Sequence, residues 1–378
     1  MRRRDFGLGA LAMGSAAGFS ARAQTPQPTP QPAAPPAAPA TPDQLMASLR
    51  EQSKAAALAG LALNRDEVLW QGVAGVRRTD QPDLATLSDR WHLGSNTKAM
   101  TAAVYARLVE KGQAKWGATV PELFPDLRPN PAWSAITVEQ LMGHVGGLSD
   151  KTLLDVPWLI AARGDPRPLR DQRRALAAKA FASPPAGKPG VFEYANADFI
   201  LLGAAIERIA DAPWEDVIKA EVFDPLELST AGFGAPLGEA PWGHARDGHP
   251  LDPTGVSDNP PALGPAGTVH MALADYAKFL RVFMSDGKGL LSADSVRHLT
   301  TPPTDEVRSY AGGWITFKAS PWTGKPGLAH EGSNTWWHMV ALVSPASGVA
   351  VVTATNDDAR GAKAAQALAL GLTKRFDS

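Results

Sequence analysis

Apolar positions recur along the chain with two periods, and the change from one to the other and back divides it. Residues 43–58 predict a helix, after which AGLALN (59–64) and VLWQGVAGV (68–76) predict two strands joined by a turn over Asn64–Glu67. In HLGSNTKAMTAAVYARLVEKG (92–112), Ala99, Ala102, Ala103, Ala106 and Val109 return at helical spacing, so this stretch predicts an amphipathic helix opened by Ser95. From about Trp116 to Thr301 the pattern is helix and loop, with TVEQLMGHVGGL, the basic LRDQRRALAAKAFA and the apolar ADFILLGAAIERIA. Strand-like runs return in YAGGWITF, WHMVALVS and GVAVVTAT, and an alanine-rich helix from Arg360 to about Leu372 closes the chain. Strands at both ends with helices between them predict an α/β fold of the α+β type. An antiparallel sheet built from both chain ends is flanked by helices and carries an inserted, mainly helical region over roughly 116–301. A site is expected in the cleft between such lobes.

The first 42 residues follow neither period. MRRRDFGLGALAMGSAAGFSARAQ has a basic start, a short apolar run and Ala21-Arg22-Ala23 before Gln24, which predicts a cleaved signal peptide over 1–23 and no stable membrane anchor after cleavage. Arg3-Arg4 before Asp5, Phe6 and Leu8 favours twin-arginine export to the periplasm, with the Sec route as the alternative. The prolines of TPQPTPQPAAPPAAPATP predict an extended spacer, giving a linker over 24–42 and one domain over 43–378.

Composition narrows the chemistry. The 378 residues include no cysteine, which excludes disulfides and thiolate catalysis. Residues 1–23 hold four of the 37 basic and one of the 38 acidic residues, so the remainder carries a net charge of −4 and does not favour nucleic acid. His244, Asp247 and His249 lack the helical histidine spacing of a metal site, HEGSN is not His-Glu-x-x-His, and no Gly-x-Ser-x-Gly elbow occurs. No metal is expected, and the expected partner is a small-molecule or peptide substrate.

Ser-x-x-Lys occurs twice, at Ser95–Lys98 and Ser285–Lys288. The second contains an Asp-Gly turn and predicts solvent-facing side chains. The first opens a helix with a buried face, where positions i and i+3 share one side and a desolvated lysine can take the serine proton as a neutral amine. Equally, Ser95 can be a helix cap and Lys98 can reach water. The motif alone leaves the two readings even.

Two further stretches favour the first reading. FEYANADF places Tyr194 and Asn196 before an apolar helix, and LAHEGSNTWW places His330, Glu331 and Gly332 in the terminal strand region. Ser-x-x-Lys, Tyr-x-Asn and His-x-Gly in this order resemble the serine β-lactamase and penicillin-recognising hydrolase family, in its class C-like branch of DD-peptidases, D-aminopeptidases and esterases. LMGHVGGL, FDPLELSTAGFG and GPAGTVHMALADYAKFL add weaker matches, and the resemblance runs from about Asp43 to the C-terminus. It implies a β-lactamase/transpeptidase-like fold and an acyl-enzyme mechanism without a cofactor. Ser95 would be the nucleophile, Lys98 its activating partner and Tyr194 the proton shuttle. The N–H groups of Ser95 and Ser333 would form the oxyanion hole. Asn196, Glu331 and Gly332 would meet substrate, and His330 would stand where class C enzymes carry lysine.

The departures matter. Glu331 replaces a small hydroxyl residue, so a carboxylate is expected to face the substrate and repel acidic ligands, the alternative being that it turns away and pairs with a basic side chain in a structural role. This favours an esterase or D-amino-acid amidase/peptidase over a β-lactamase or DD-carboxypeptidase. A reading from another class is a non-catalytic protein that binds cell-wall peptides. His144 reads as a turn-holder, with Val145 and Gly146 where Thr and Ser are usual, and Trp336 and Trp337 as core or pocket wall.

Overall fold

The computed structural model describes residues 41–377 apart from 256, 305 and 307. The expected signal peptide and all of the linker before Thr41 lie outside the described residues. Pro42, assigned above to the linker, instead begins helix α1 (Pro42–Ser53), because Thr41 and Gln44 form a capping box and proline at the first helical position sacrifices no needed N–H. The helix stops short of residue 58: Lys54 takes a left-handed conformation (φ 57°) and releases the chain into the first strand.

Among the described residues ten strands follow: β1 (Ala57–Asn64), β2 (Val68–Gly75), β3 (Arg90–His92), β4 (Gly232–Phe233), β5 (Val269–Ala272), β6 (Arg308–Ala311), β7 (Trp314–Phe317), β8 (Gly327–Ser333), β9 (His338–Ser344) and β10 (Val349–Thr355). Seven make one antiparallel sheet in the order β2-β1-β10-β9-β8-β7-β6, so the two ends of the domain meet where β1 pairs with β10. Helices cover both faces, which is why β9 and β10 are buried throughout and read as continuous apolar runs. Leu58, Ala62, Val340, Leu342 and Val351 pack with Leu368 and Leu372 of the C-terminal helix Asp358–Phe376. Leu61, Leu63, Met339 and Ala341 belong to the larger core shared with the inserted helices.

The inserted region is mainly helical, with β4 and β5 joining β3 in a second, three-stranded sheet. Two expectations are corrected. YAGGWITF forms two strands, since Gly312 and Gly313 both take positive φ (52° and 86°) and turn β6 back on β7. Helix α2 (Thr97–Glu110) is not amphipathic: Thr97 to Ala106 are all buried, and Ser95 precedes it in a separate 3₁₀ turn, Gly94–Asn96.

Candidate active site

A helix enclosed on every side must account for each polar atom it carries. Lys98, in the first turn of α2, is fully buried, and its Nζ lies 2.9 Å from Ser95 Oγ, 2.8 Å from Asn196 Oδ1 and 2.8 Å from the Ala266 carbonyl. Asn196 Oδ1 and the carbonyl can only accept. As an ammonium Nζ donates to all three oxygens; as a neutral amine its two N–H groups serve Asn196 and the carbonyl, and its lone pair faces the Ser95 hydroxyl. Burial pushes the Lys98 pKa down to about 7, and the charges of Asp150 and Asp198 only partly oppose it.

Tyr194 completes the chain from the other side, with its hydroxyl 2.8 Å from Ser95 Oγ. If Ser95 donates to Lys98, its oxygen accepts from Tyr194, so the order is Tyr194 O–H to Ser95 O–H to Lys98. Tyr194 is 39% exposed, so desolvation raises its pKa only where the hydroxyl meets Ser95, against a Ser95 hydrogen bond that lowers it, and the phenol keeps its proton. His144 packs against the Tyr194 ring at 4.4 Å and holds a left-handed turn (φ 56°), with its Nδ1 2.7 Å from Asp198.

Two glycines bring the Ser95 turn against the edge of β8. A Cβ on Gly332 would stand 2.0 Å from the Leu93 carbonyl and 2.8 Å from Ser95 N, and one on Gly94 would stand 2.5 Å from Ser333 N. Gly94 also has φ 51°. The backbone N–H groups of Ser95 and Ser333 thus belong to segments in direct contact, although they lie far apart in sequence.

Beyond Tyr194 opens a cavity of about 630 Å³ whose walls include Phe192, Tyr310, Ile315 and His330. His330 is bound to the Tyr310 hydroxyl through Nε2 at 2.8 Å, and no hydrogen bond among the described residues joins it to Ser95 or Lys98. Burial, with the nearby Lys98 charge, pushes its pKa down to about 3, so the imidazole is neutral.

Glu331 corrects an expectation. It borders the cavity along the β8 edge, but alternation in the strand sends its carboxylate to the face covered by the C-terminal helix. There Gln366 Nε2 donates to it at 2.7 Å and His338 Nε2 lies 3.2 Å away. It does not confront a substrate beside Ser95. Trp336 and Trp337 lie outside the strands, between β8 and β9. Trp337 is fully buried and Trp336 half-buried.

The sequence reading missed Asp150, Tyr310 and the Ala266 carbonyl. Asp150 accepts the N–H groups of Asn196 and Ala197 and the Asn196 side-chain amide, all within 3.0 Å. It caps the helix Asn196–Ala210 and turns Asn196 Oδ1 toward Lys98. The second Ser-x-x-Lys takes no part: Asp286, Gly287 and Lys288 make a left-handed turn with Lys288 at the surface.

Comparison with known proteins fits this geometry. A family model described as Beta-lactamase matches residues 42–373. The chain belongs to that family. It is similar to penicillin-binding protein 4 of Amycolatopsis lactamdurans, with 26% identity over 317 residues, 79% of this chain and 80% of that protein. A putative penicillin-binding protein PbpX of Bacillus subtilis shares 26% over 215 residues, 56% of this chain and 50% of its own. In fold the chain is similar to the octameric penicillin-binding protein homologue from Pyrococcus abyssi (TM-score 0.71, 21% identity, 88% of this chain and 77% of that one). It is also similar to a D-amino acid amidase from Ochrobactrum anthropi (TM-score 0.71, 16% identity, 89% and 100%). Membership places the protein in a family of the serine-hydrolase type.

Proposed function

We propose that the protein hydrolyses esters or amides that carry no carboxylate, amine-bearing amides included, through an acyl-enzyme on Ser95. The observation that carries this reading is the hydrogen-bonded chain Tyr194–Ser95–Lys98, with Lys98 buried and its pKa pushed down to about 7, so that its free-amine form can accept from the Ser95 hydroxyl. Lys98 takes the Ser95 proton as Oγ attacks the carbonyl carbon. The developing oxyanion lies against the N–H groups of Ser95 and Ser333. As the bond to the leaving group breaks, Tyr194 passes it a proton, and water then releases the acyl group by the reverse route.

Substrate class follows from the cavity. Phe192, Tyr194, Tyr310 and Ile315 form an apolar side of the cavity and its histidine is neutral, so an apolar group on the acyl or leaving side is favoured there, while Thr304, Glu306, Arg308, Ser309 and Glu331 make the rest of the lining polar. Amides of D-amino acids, the class named for one protein of the same fold, fit this description. A β-lactamase or DD-carboxypeptidase reading, suggested by the penicillin-binding relatives, calls for a cation to meet a substrate carboxylate; His330 is neutral, so that role would fall to Arg308 on the cavity wall, beside Glu306. A purely binding protein gives no reason for a buried amine aimed at a hydroxyl. The export reading rests on the first 23 residues alone, and a periplasmic location belongs to this proposal.

The test is a substrate panel. The kcat/KM for p-nitrophenyl phenylacetate and D-phenylalanine amide is expected to exceed that for nitrocefin by at least about tenfold, or 1.4 kcal/mol of transition-state stabilisation. Efficient nitrocefin hydrolysis with no ester or amide turnover overturns the substrate class.

A further inference from the structure

The N–H groups of Ser95 and Ser333 can share one oxygen only if their segments hold a fixed spacing, and these segments come from opposite ends of the domain. One carboxylate reaches both. Asp258 lies 3.1 Å from His92 Nε2 and accepts from Asn334 Nδ2 at 2.7 Å. His92 ends β3 and its Nδ1 accepts the Gly94 N–H at 3.0 Å. That contact fixes the tautomer, because a ring nitrogen that accepts leaves the other to carry the proton and donate to Asp258.

The second arm is equally determined. Asn334 follows Ser333 directly, and its Oδ1 accepts the N–H groups of Trp336 and Trp337 at 3.2 Å each. The Trp337 ring stacks on His92 at 5.7 Å, which closes the two arms on one another. His92 is buried and Asn334 is 5% exposed. Asp258 is itself held: one of its oxygens accepts the Asn259 N–H at 2.7 Å, and its carbonyl accepts from the Arg163 guanidinium. Asn259 in turn donates to the Gly267 carbonyl at 3.0 Å, one residue beyond the Ala266 carbonyl that binds Lys98.

We propose that Asp258 is a positioning residue for acyl transfer, a brace that sets the spacing of the two oxyanion donors through His92 and Gly94 on one side and Asn334 on the other. The inference rests on the Ser95 chemistry proposed above. No hydrogen bond among the described residues joins Asp258 to Ser95, Lys98 or Tyr194, so its effect passes through the backbone it holds.

Asp258→Asn and Asn334→Ala separate this role from simple support of a loop. Each variant is expected to lower kcat for a p-nitrophenyl ester by about tenfold to a hundredfold, the scale of a misplacement near 1 Å, with KM within about twofold of wild type. A boronic acid, whose tetrahedral adduct mimics the oxyanion, is expected to lose affinity by the same factor. The double variant should be no worse than the poorer single one, since both break one brace. A kcat within about twofold of wild type, a loss carried by KM, or unchanged boronate affinity overturns the proposal. If Asp258→Asn does not fold, Asn334→Ala decides by the same criteria. A wild type that hydrolyses no ester and binds no boronate refutes the hydrolase reading and the brace's role with it. An active wild type with unaffected variants refutes the brace alone.

Discussion

The Glu331 carboxylate and the His338 imidazole meet 3.2 Å apart on the face of the sheet turned away from Ser95. Asp358 binds the other ring nitrogen at 2.8 Å, so an imidazolium is held between two carboxylates from a strand and the C-terminal helix. Burial opposes that charge, but the bonds to Asp358 and Glu331 outweigh it and raise the His338 pKa to about 9. The raised value contributes stability that is fully present below the unfolded histidine value of about 6.5 and is lost as pH rises through about 9.

Glu331→Gln is therefore expected to cost stability and to leave selectivity alone. With the Glu331 side chain 47% exposed, solvent screening limits the loss to about 1 kcal/mol at pH 6. The variant's melting temperature should also fall less than that of wild type between pH 6.5 and 9, the window set by the unfolded and folded histidine values. Thermal denaturation across pH checks this. A changed ratio of penicillin to neutral-ester acylation at constant stability would return Glu331 to the substrate.

Activity should rise with pH through about 7, because Lys98 accepts a proton only as the free amine. His330 titrates near 3 and lies outside that window, so His330→Asn should preserve the acidic limb of kcat/KM while Lys98→Arg abolishes turnover. A pH–rate profile on a p-nitrophenyl ester is sufficient. A flat wild-type curve from about pH 5 to 9 contradicts the assignment of Lys98 as base.

Asp150 gives a separable signature. Its charge favours the Lys98 ammonium, so Asp150→Asn should move the acidic limb to lower pH. The same change weakens three hydrogen bonds at the start of the Asn196–Ala210 helix, and a loss of about 1–3 kcal/mol is expected. The profile and the melting temperature together check it. An acidic limb that stays in place would show that Asp150 only caps the helix.

Periodicity made much of this molecule legible. Strand alternation and helical spacing identified the sheet from both chain ends, and the resemblance to the penicillin-recognising hydrolases pointed to Ser95, Lys98, Tyr194 and Asn196, which fold into one hydrogen-bonded cluster. Contacts between segments distant in sequence were not legible. The direction of the Glu331 side chain depends on which strand face the C-terminal helix covers. Asp150, Tyr310 and Asp258 act through partners 46, 20 and 76 residues away, with no local pattern to mark them. The even burial of α2 hid in the same way, since Thr97, Thr101 and Lys98 look like a solvent face until their partners from the Gly264–Gly267 turn and β5 are in place.

The central claim is that Ser95 is the group acylated, and intact-mass analysis after incubation with a fluorophosphonate tests it most directly. One adduct is expected, localised to Ser95 by peptide mapping, with none in a folded Ser95→Ala variant and slowed formation in Tyr194→Phe. An adduct on Ser285 or elsewhere, or full labelling and ester turnover in Ser95→Ala, contradicts the account.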